Sequence, residues 1–159
     1  MKIDILAVGK IKERYFGDAV DEYVKRLSRY ATVNITEVKD EKTTEGASDR
    51  ENELVMIAEA KRLLPYMDDK AVTIPLCIEG KQMSSEELAD YITDLENSGR
   101  SHIRFVIGGS LGLDGSVKDR GDLKLSFSKM TFPHQLMRVV LLEQIYRAFR
   151  IKNNEPYHK

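Results

Sequence analysis

A nearly continuous apolar run from Ala71 to Ile78 leaves this chain few ways to fold. Its side chains are nearly all apolar, several are β-branched, and polar residues do not alternate with them. Successive side chains of a strand point to opposite sides of a sheet, so a strand of this kind has no face that can lie in water. We therefore expect a central strand that is covered on both faces and that ends at Glu79-Gly80.

Strand-like and helical segments alternate along the whole chain. Helical spacing of apolar residues, capping-box patterns at Ser48 and Ser84, and Pro133 at a helix start mark the helices. The sequence predicts strands over 2–8, 33–38, 71–78, 102–107 and 122–127, helices over 15–30, 48–64, 84–98 and 133–150, and a mobile loop over 39–47. This alternation predicts an α/β fold, a mostly parallel sheet with helices on both faces, in a single domain spanning 1–159.

The composition excludes several classes of protein. With 159 residues, of which 42% are hydrophobic, the chain can bury one core. It has no apolar signal segment at its start and nowhere roughly eighteen consecutive apolar residues, so we expect a cytoplasmic protein that is neither exported nor membrane-spanning. Cys77 is the only cysteine, which rules out an internal disulfide and a cysteine zinc cluster. We expect Cys77 to be a buried strand residue rather than a nucleophile, and we predict no metal site.

The charge is unevenly distributed. The net charge of the chain is −1, but the residues from Lys129 onward carry +4 and those before them carry −5. If RNA is a partner, its phosphates should meet the basic C-terminal part. The alternative is that these charges are the ordinary scatter of a solvated surface.

Glycines follow two strands at positions where a ligand could approach the backbone. Ligands of a parallel sheet sit beyond the carboxyl ends of its strands, and these ends carry Gly80 and the turn 108–112 here. The lone Gly9 argues against a dinucleotide site after the first strand, and no Lys-Ser/Thr pair completes a phosphate loop. A ligand site at the turn 108–112 is one interpretation, and a merely tight turn is the other.

The predicted last helix, 133–150, is apolar nearly all round. Such a helix must be buried on several sides. We expect it to pack against a second subunit, the alternative being a monomer in which this helix is central.

Four ordered motifs make the C-terminal third distinctive. They are V-I-G-G-x-x-G at 106–112, L-S-F-S-x-M-T-F-P-H at 125–134, L-x-Q-x-Y-R-A at 142–148 and N-x-P-Y-H-K at 154–159. Together with the A-V-G-K start at 7–10, this set closely resembles the bacterial RlmH (YbeA-type) rRNA methyltransferases of the SPOUT superfamily. The resemblance extends over essentially the whole chain.

The resemblance implies a C-terminal trefoil knot that holds S-adenosylmethionine, and a homodimer. It also implies methyl transfer to N3 of a pseudouridine in a stem-loop of the large-subunit (23S) rRNA, on the assembled ribosome. The positions that match the family's cofactor-binding residues are Leu76, Gly108, Phe127, Ser128, Lys129, Met130, Thr131 and Phe132. The C-terminal trefoil knot is a rare exception to the rule that chains do not thread their own loops.

Within this family the polar tail is expected to close the active site. His158 and Tyr157 are the first catalytic candidates, with His158 or water assisting removal of the N3 proton and Lys159 contacting phosphate. His134 and Glu79 are further candidates. For His134, directly after Pro133, a hydrogen-bonding role at the helix start is favoured over that of a base. The alternative for the tail is that a terminal peptide frays and has no role.

Basic residues supply candidate RNA contacts. Arg147 and Arg150, three residues apart on one helix, are assigned to rRNA contact or to the dimer interface. Lys10, Lys12 and Arg14 form a second candidate. Two other functions remain open at this point: a non-catalytic RNA-binding or ribosome-assembly factor, and a phosphate-ester enzyme that uses the turn 108–112 as an anion nest.

Overall fold

A computed structural model describes residues 1–159, and its five strands form one sheet in the order β2-β1-β4-β3-β5. The strands are β1 (Lys2–Val8), β2 (Thr32–Val38), β3 (Val72–Gln82), β4 (His102–Ile107) and β5 (Leu125–Ser126). The helices are α1 (Arg14–Leu27), α2 (Asp49–Leu63), α3 (Ser85–Asn97), α4 (Gly115–Lys118) and α5 (His134–Lys152). Every strand pair is parallel, which confirms the predicted α/β class.

The sheet separates two hydrophobic cores. Alternate residues of β1 point to opposite faces, so Ile3 and Ile5 belong to a core of 21 buried residues and Leu6 and Val8 to a core of 9. Helices α1, α3 and α5 cover the larger core, whereas α2 and α4 cover the smaller one. The expectation of helices on both faces is therefore confirmed.

Local sequence signals begin the helices as expected. Ser84 accepts a hydrogen bond from the Glu87 backbone N–H at 3.1 Å, and the Glu87 carboxylate accepts one in return from the Ser84 backbone N–H at 2.7 Å. Ser48 caps α2 in the same way through the backbone N–H of Glu51. These caps satisfy backbone donors that the first turn of a helix leaves without partners.

The structure corrects the predicted end of the central strand. Glu79-Gly80 does not close β3, which continues to Gln82 beside β5. A Cβ on Gly80 would lie 2.8 Å from the Lys124 backbone, so this glycine permits a close approach of two chain segments rather than a turn. The predicted strand 122–127 is shorter than expected, with only Leu125 and Ser126 paired, and α4 was not predicted.

The second half of the apolar run is not buried. Val72 and Ile74 lie in the core, but Ile78 is 48% exposed and Cys77 is only half-buried. The prediction that Cys77 is a buried residue is therefore wrong. Both residues border the open cavity that is described below.

The last helix is buried mainly by its own chain. Helix α5 packs against both α1 and α3, and its buried side chains are Arg138, Leu141, Leu142, Ile145, Ala148 and Phe149. The other apolar side chains of α5, which are Leu136, Met137, Val139 and Val140, are only half-buried. Contact of this helix with a second subunit stays a prediction. None of the helices combines the length and the apolar character that a membrane crossing requires.

Candidate active site

A cavity of about 630 Å³ opens at the carboxyl ends of β3 and β4. This volume is within the range of about 300–1,000 Å³ that is usual for small-molecule sites. Its lining comes from three segments, which are 76–79, 107–113 and most of 125–134, together with Lys118 and Met137. The ligand site that the sequence predicted beyond glycine-bearing strand ends therefore coincides with a cavity.

Most of the predicted cofactor residues line this cavity. They are Leu76, Gly108, Phe127, Ser128, Met130, Thr131 and Phe132. Lys129 does not line it and is exposed. The backbone N–H of Met130 donates to Ser128 Oγ at 2.9 Å, which forms a tight turn with Lys129 at its tip. Met130 is 74% exposed and forms part of the rim.

The glycine turn is compact for steric reasons. A Cβ on Gly108 would lie 2.7 Å from the backbone carbon of Gly112, closer than real Cβ contacts come. Gly112 has φ +86°, a backbone conformation that is unfavourable for residues other than glycine. The turn therefore requires glycine at both positions, and its backbone forms one wall of the cavity.

An ion pair lies at the cavity wall. Lys118 Nζ donates to Glu79 Oε1 at 2.5 Å, and this hydrogen bond holds the pKa of Glu79 below its usual value. Glu79 is therefore an ionised, paired carboxylate rather than a free base. Desolvation, with the nearby Glu79 charge, raises the pKa of Cys77, which agrees with the expectation that this thiol is not a nucleophile.

His134 lies in the cavity lining and does not have the role that the sequence predicted for it. It makes no capping hydrogen bond at the start of α5, and its Nδ1 is buried without a partner. The prediction of a hydrogen-bonding residue at the helix start is therefore wrong. Burial, reinforced by the charge of Arg138, lowers the pKa of His134.

The C-terminal tail is ordered by contacts outside the cavity. Tyr157 donates to Glu143 Oε1 at 3.1 Å, and His158 Nε2 lies 2.7 Å from Glu86 Oε1. Burial and the Glu143 carboxylate raise the pKa of Tyr157 to about 12, so its hydroxyl stays protonated. Neither side chain lines the cavity of its own chain. The tail is not frayed, and it does not close the site within one molecule.

Arg147 and Arg150 hold this tail in place. Arg147 forms a salt bridge with Glu143, and its guanidinium lies over the Tyr157 ring at 4.6 Å from the centroid. Arg150 pairs with Glu155 and donates to the Pro156 carbonyl at 2.9 Å. Their predicted contact with rRNA or with a second subunit stays a prediction.

The basic C-terminal part offers fewer free cations than its charge suggests. Arg138 is 1% exposed and donates to Glu37 Oε2 and to the Gly9 carbonyl, at 2.5 and 2.7 Å. Lys152 pairs with Glu96. Lys129 and Lys159 are exposed and form no salt bridge. The same is true of Lys10 and Lys12 in the loop after β1. Arg14 in that loop is 94% exposed and pairs loosely with Asp18.

Sequence reasoning missed three residues at or behind the cavity wall. Lys118 gave no motif, because it belongs to a helix of four residues that periodicity cannot detect. Glu59 resembles any other acidic residue of an amphipathic helix, yet its carboxyl group lies 3.0 Å from the Cβ position of Gly109. Met137 could not be distinguished in the sequence from the other apolar residues of the last helix. No group of three or more His, Cys, Asp or Glu side chains is arranged to hold a metal ion.

Comparison with known proteins agrees with this arrangement. A family model described as a predicted SPOUT methyltransferase matches residues 1–158. The chain belongs to the SPOUT methyltransferase family. The resemblance noted in the four C-terminal motifs is thereby confirmed, and the cavity at the strand ends is the candidate active site of a SPOUT methyltransferase.

Relatives of this SPOUT methyltransferase match it from end to end. A protein of Bifidobacterium animalis subsp. lactis is 59% identical and one of Clostridium kluyveri is 53% identical, each over 159 residues and 100% of both chains. Both are named ribosomal RNA large subunit methyltransferase H. A probable methylase family protein from Haemophilus influenzae has a similar fold, with a TM-score of 0.56 and 14% identity over 99% of this chain and 70% of that one.

Proposed function

We propose that this SPOUT methyltransferase transfers a methyl group from S-adenosylmethionine to N3 of a pseudouridine in the large-subunit rRNA of the assembled ribosome. The observation that supports this most strongly is the coincidence of the cavity with the residues that match the family's cofactor motifs. Full-length relatives named as large-subunit rRNA methyltransferases support the substrate class. A ribosomal substrate would place the protein in the cytoplasm.

The cavity residues suit this cofactor. Apolar walls at Leu76, Phe127 and Phe132 can cover an adenine, while the backbone of the glycine turn 108–112 offers polar atoms at close range. The amino-acid part of S-adenosylmethionine carries an ammonium and a carboxylate. The Glu79–Lys118 pair offers one side chain of opposite charge to each of these groups. When bound, S-adenosylmethionine supplies an activated methyl group on a cationic sulfur. The task of the protein is then to align donor and acceptor and to exclude water.

A titration calorimetry experiment with S-adenosylmethionine tests the cofactor assignment. Leu76→Glu places a carboxylate in the cavity wall and should weaken binding at least about tenfold, a loss of about 1.4 kcal/mol. Leu54→Glu is the matched control, because Leu54 is 50% exposed on α2 and does not line the cavity. A non-catalytic RNA-binding factor predicts no cofactor binding by the wild-type protein.

The topology of the cofactor region completes the proposal. We place the trefoil knot in the C-terminal half, with α5 passing through the chain segment that leads from β4 to β5. The family resemblance supports this placement. In the same region a Cβ on Gly121 would lie 2.5 Å from Pro75 Cδ, so Gly121 packs closely against β3. A passage of this kind would hold the wall 125–134 rigidly around the cofactor.

A homodimer would give the ordered tail a role in the reaction. Tyr157 and His158 are fixed by Glu143 and Glu86 but do not reach the cavity of their own chain. We propose that they act on the cavity of a second copy, where Lys159 would meet rRNA phosphate. Arg147 and Arg150 then serve the rRNA contact or the dimer interface by holding the tail in shape.

A further inference from the structure

Four ionisable side chains line the cavity, and only one is suited to accept a proton near neutral pH. They are Cys77, Glu79, Lys118 and His134. Glu79 and Lys118 form a salt bridge, with Lys118 Nζ 2.5 Å from Glu79 Oε1. Burial raises the pKa of Cys77, so its thiol keeps its proton. His134 forms no salt bridge and no side-chain hydrogen bond.

The imidazole of His134 is held against the backbone at the end of β1. A Cβ on Gly9 would lie 3.2 Å from Cε1 of the ring, so a larger residue at position 9 would displace the imidazole. Nδ1 is buried and unpartnered, which is unfavourable in a folded protein. Native structures contain few such groups, and a catalytic role is one of the explanations for them.

Charged groups from three segments face this ring. Arg138 on α5 and Lys12 after β1 oppose protonation, while Asp40 after β2 favours it. Burial is the largest influence, and the balance lowers the pKa of His134 below its usual value. The ring is therefore neutral at physiological pH and has a free lone pair.

We infer that His134 is a further catalytic residue of the proposed methyl transfer, the general base that receives the N3 proton of the acceptor. This inference rests on the proposed function. The bond from N3 to the methyl carbon forms while the bond from that carbon to sulfur breaks, and the electron pair of the broken bond stays on sulfur. The N3 proton passes to Nε2 of His134, because Nδ1 is buried, and the imidazolium then releases it to water.

This assignment differs from the one that the sequence favoured. His158 Nε2 already lies 2.7 Å from Glu86 Oε1, and His158 does not line the cavity of its own chain. In this account His158 orders the tail over the acceptor, and His134 takes the proton. The two histidines therefore predict different effects on the pH dependence of the rate.

The chain contains three histidines, which allows a matched comparison. His102, His134 and His158 are each replaced by Gln, with His134→Asn as a second variant, and S-adenosylmethionine affinity is measured by calorimetry. Single-turnover transfer of radiolabelled methyl groups to undermodified ribosomes is then followed across pH. His102 pairs with Asp4 near the amino ends of β4 and β1, does not line the cavity, and serves as the control.

We expect His134→Gln to retain cofactor affinity and to lower the rate at neutral pH by about 10²-fold or more. Its rate should keep rising with pH, whereas the wild-type rate should level off above the pKa of His134. His102→Gln should match the wild type, and His158→Gln should lower the rate but keep the plateau.

Three results overturn the inference while leaving the proposed function in place. The first is a wild-type rate and pH profile in both His134 variants. The second is a loss of rate that reduced cofactor affinity explains completely. The third is disappearance of the plateau in His158→Gln instead. Absence of methyl transfer by the wild-type protein rejects the proposed function and this inference together.

Discussion

The carboxyl group of Glu59 lies directly behind Gly109, where a β-carbon would be 3.0 Å from Oε2 and 3.1 Å from Oε1. Glu59 is 4% exposed, and its Oε2 accepts a hydrogen bond from the Glu41 backbone N–H at 3.0 Å. Its Oε1 has no partner. Burial raises the pKa of this carboxyl group, and the neighbouring Asp40 adds to the effect. Glu59 thus supports the cavity's glycine turn from behind.

Glu59→Gln should change how stability depends on pH. The raised pKa means that the wild-type protein loses stability as the pH rises through the pKa of the buried carboxyl group. Gln cannot ionise, so the free energy of unfolding of the variant relative to wild type should increase as the pH rises above the ordinary glutamate pKa of about 4.3. Urea denaturation at a series of pH values measures this. A constant difference would show that Glu59 is not an origin of the pH dependence.

Three glycine substitutions should separate steric clash from backbone strain. Gly108→Ala forces a Cβ to within 2.7 Å of the Gly112 backbone and should disrupt the turn, lowering both stability and cofactor affinity. Gly112→Ala meets no atom within 4 Å but has φ +86°, so it should cost about 1 kcal/mol. Gly115→Ala, at the start of α4 and in open space, is the control. Equal effects for all three would contradict this account of the turn.

Removal of the buried cation at position 138 should be strongly destabilising. Arg138→Met removes the cation paired with Glu37 and the side-chain donor to the Gly9 carbonyl, at a cost of about 3 kcal/mol in the free energy of unfolding. Arg50→Met is the control, because Arg50 is 68% exposed in its pair with Glu53 and should cost less than about 1 kcal/mol. Similar urea midpoints for the two variants would rule out a structural role for Arg138.

The strand and helix pattern was predictable because it depends on local periodicity and capping. Ser48, Ser84 and the apolar runs each act over a few residues, and the structure places helices and strands where they indicate. The extension of β3 past Gly80 was not predictable, since it depends on pairing with β5, more than forty residues later. A glycine that permits close packing and one that permits a turn look identical in a sequence.

The candidate site shows the same division. Motif positions such as Leu76 and Gly108 could be matched because they resemble a known family, and the structure places them on the cavity. The buried, unpartnered Nδ1 of His134 could not be predicted in this way, because burial depends on how the whole chain packs. The predicted basic surface was overestimated because its cations are paired. The i,i+4 spacing of Glu143 and Arg147 could have indicated one pair, whereas Lys152 meets Glu96 on α3 only in the folded chain.

Deletion of residues 157–159 should separate cofactor binding from catalysis. The tail does not line the cavity of its own chain, so S-adenosylmethionine affinity should stay within about twofold of wild type, or about 0.4 kcal/mol. Methyl transfer should be abolished, because the proposed tail contacts to the acceptor are lost. Deletion of Lys159 alone keeps the Tyr157 and His158 contacts and should weaken rRNA binding in a salt-dependent way. Full methyl transfer by the shorter protein would exclude a catalytic tail.

Radiolabelled methyl transfer from S-adenosylmethionine to undermodified ribosomes, isolated subunits and naked rRNA, with the modified nucleotide mapped, tests the central proposal most directly. The proposed function predicts transfer to assembled ribosomes, at N3 of one pseudouridine in the large-subunit rRNA. Absence of transfer to all three substrates, or methylation at another atom or nucleotide, would contradict it.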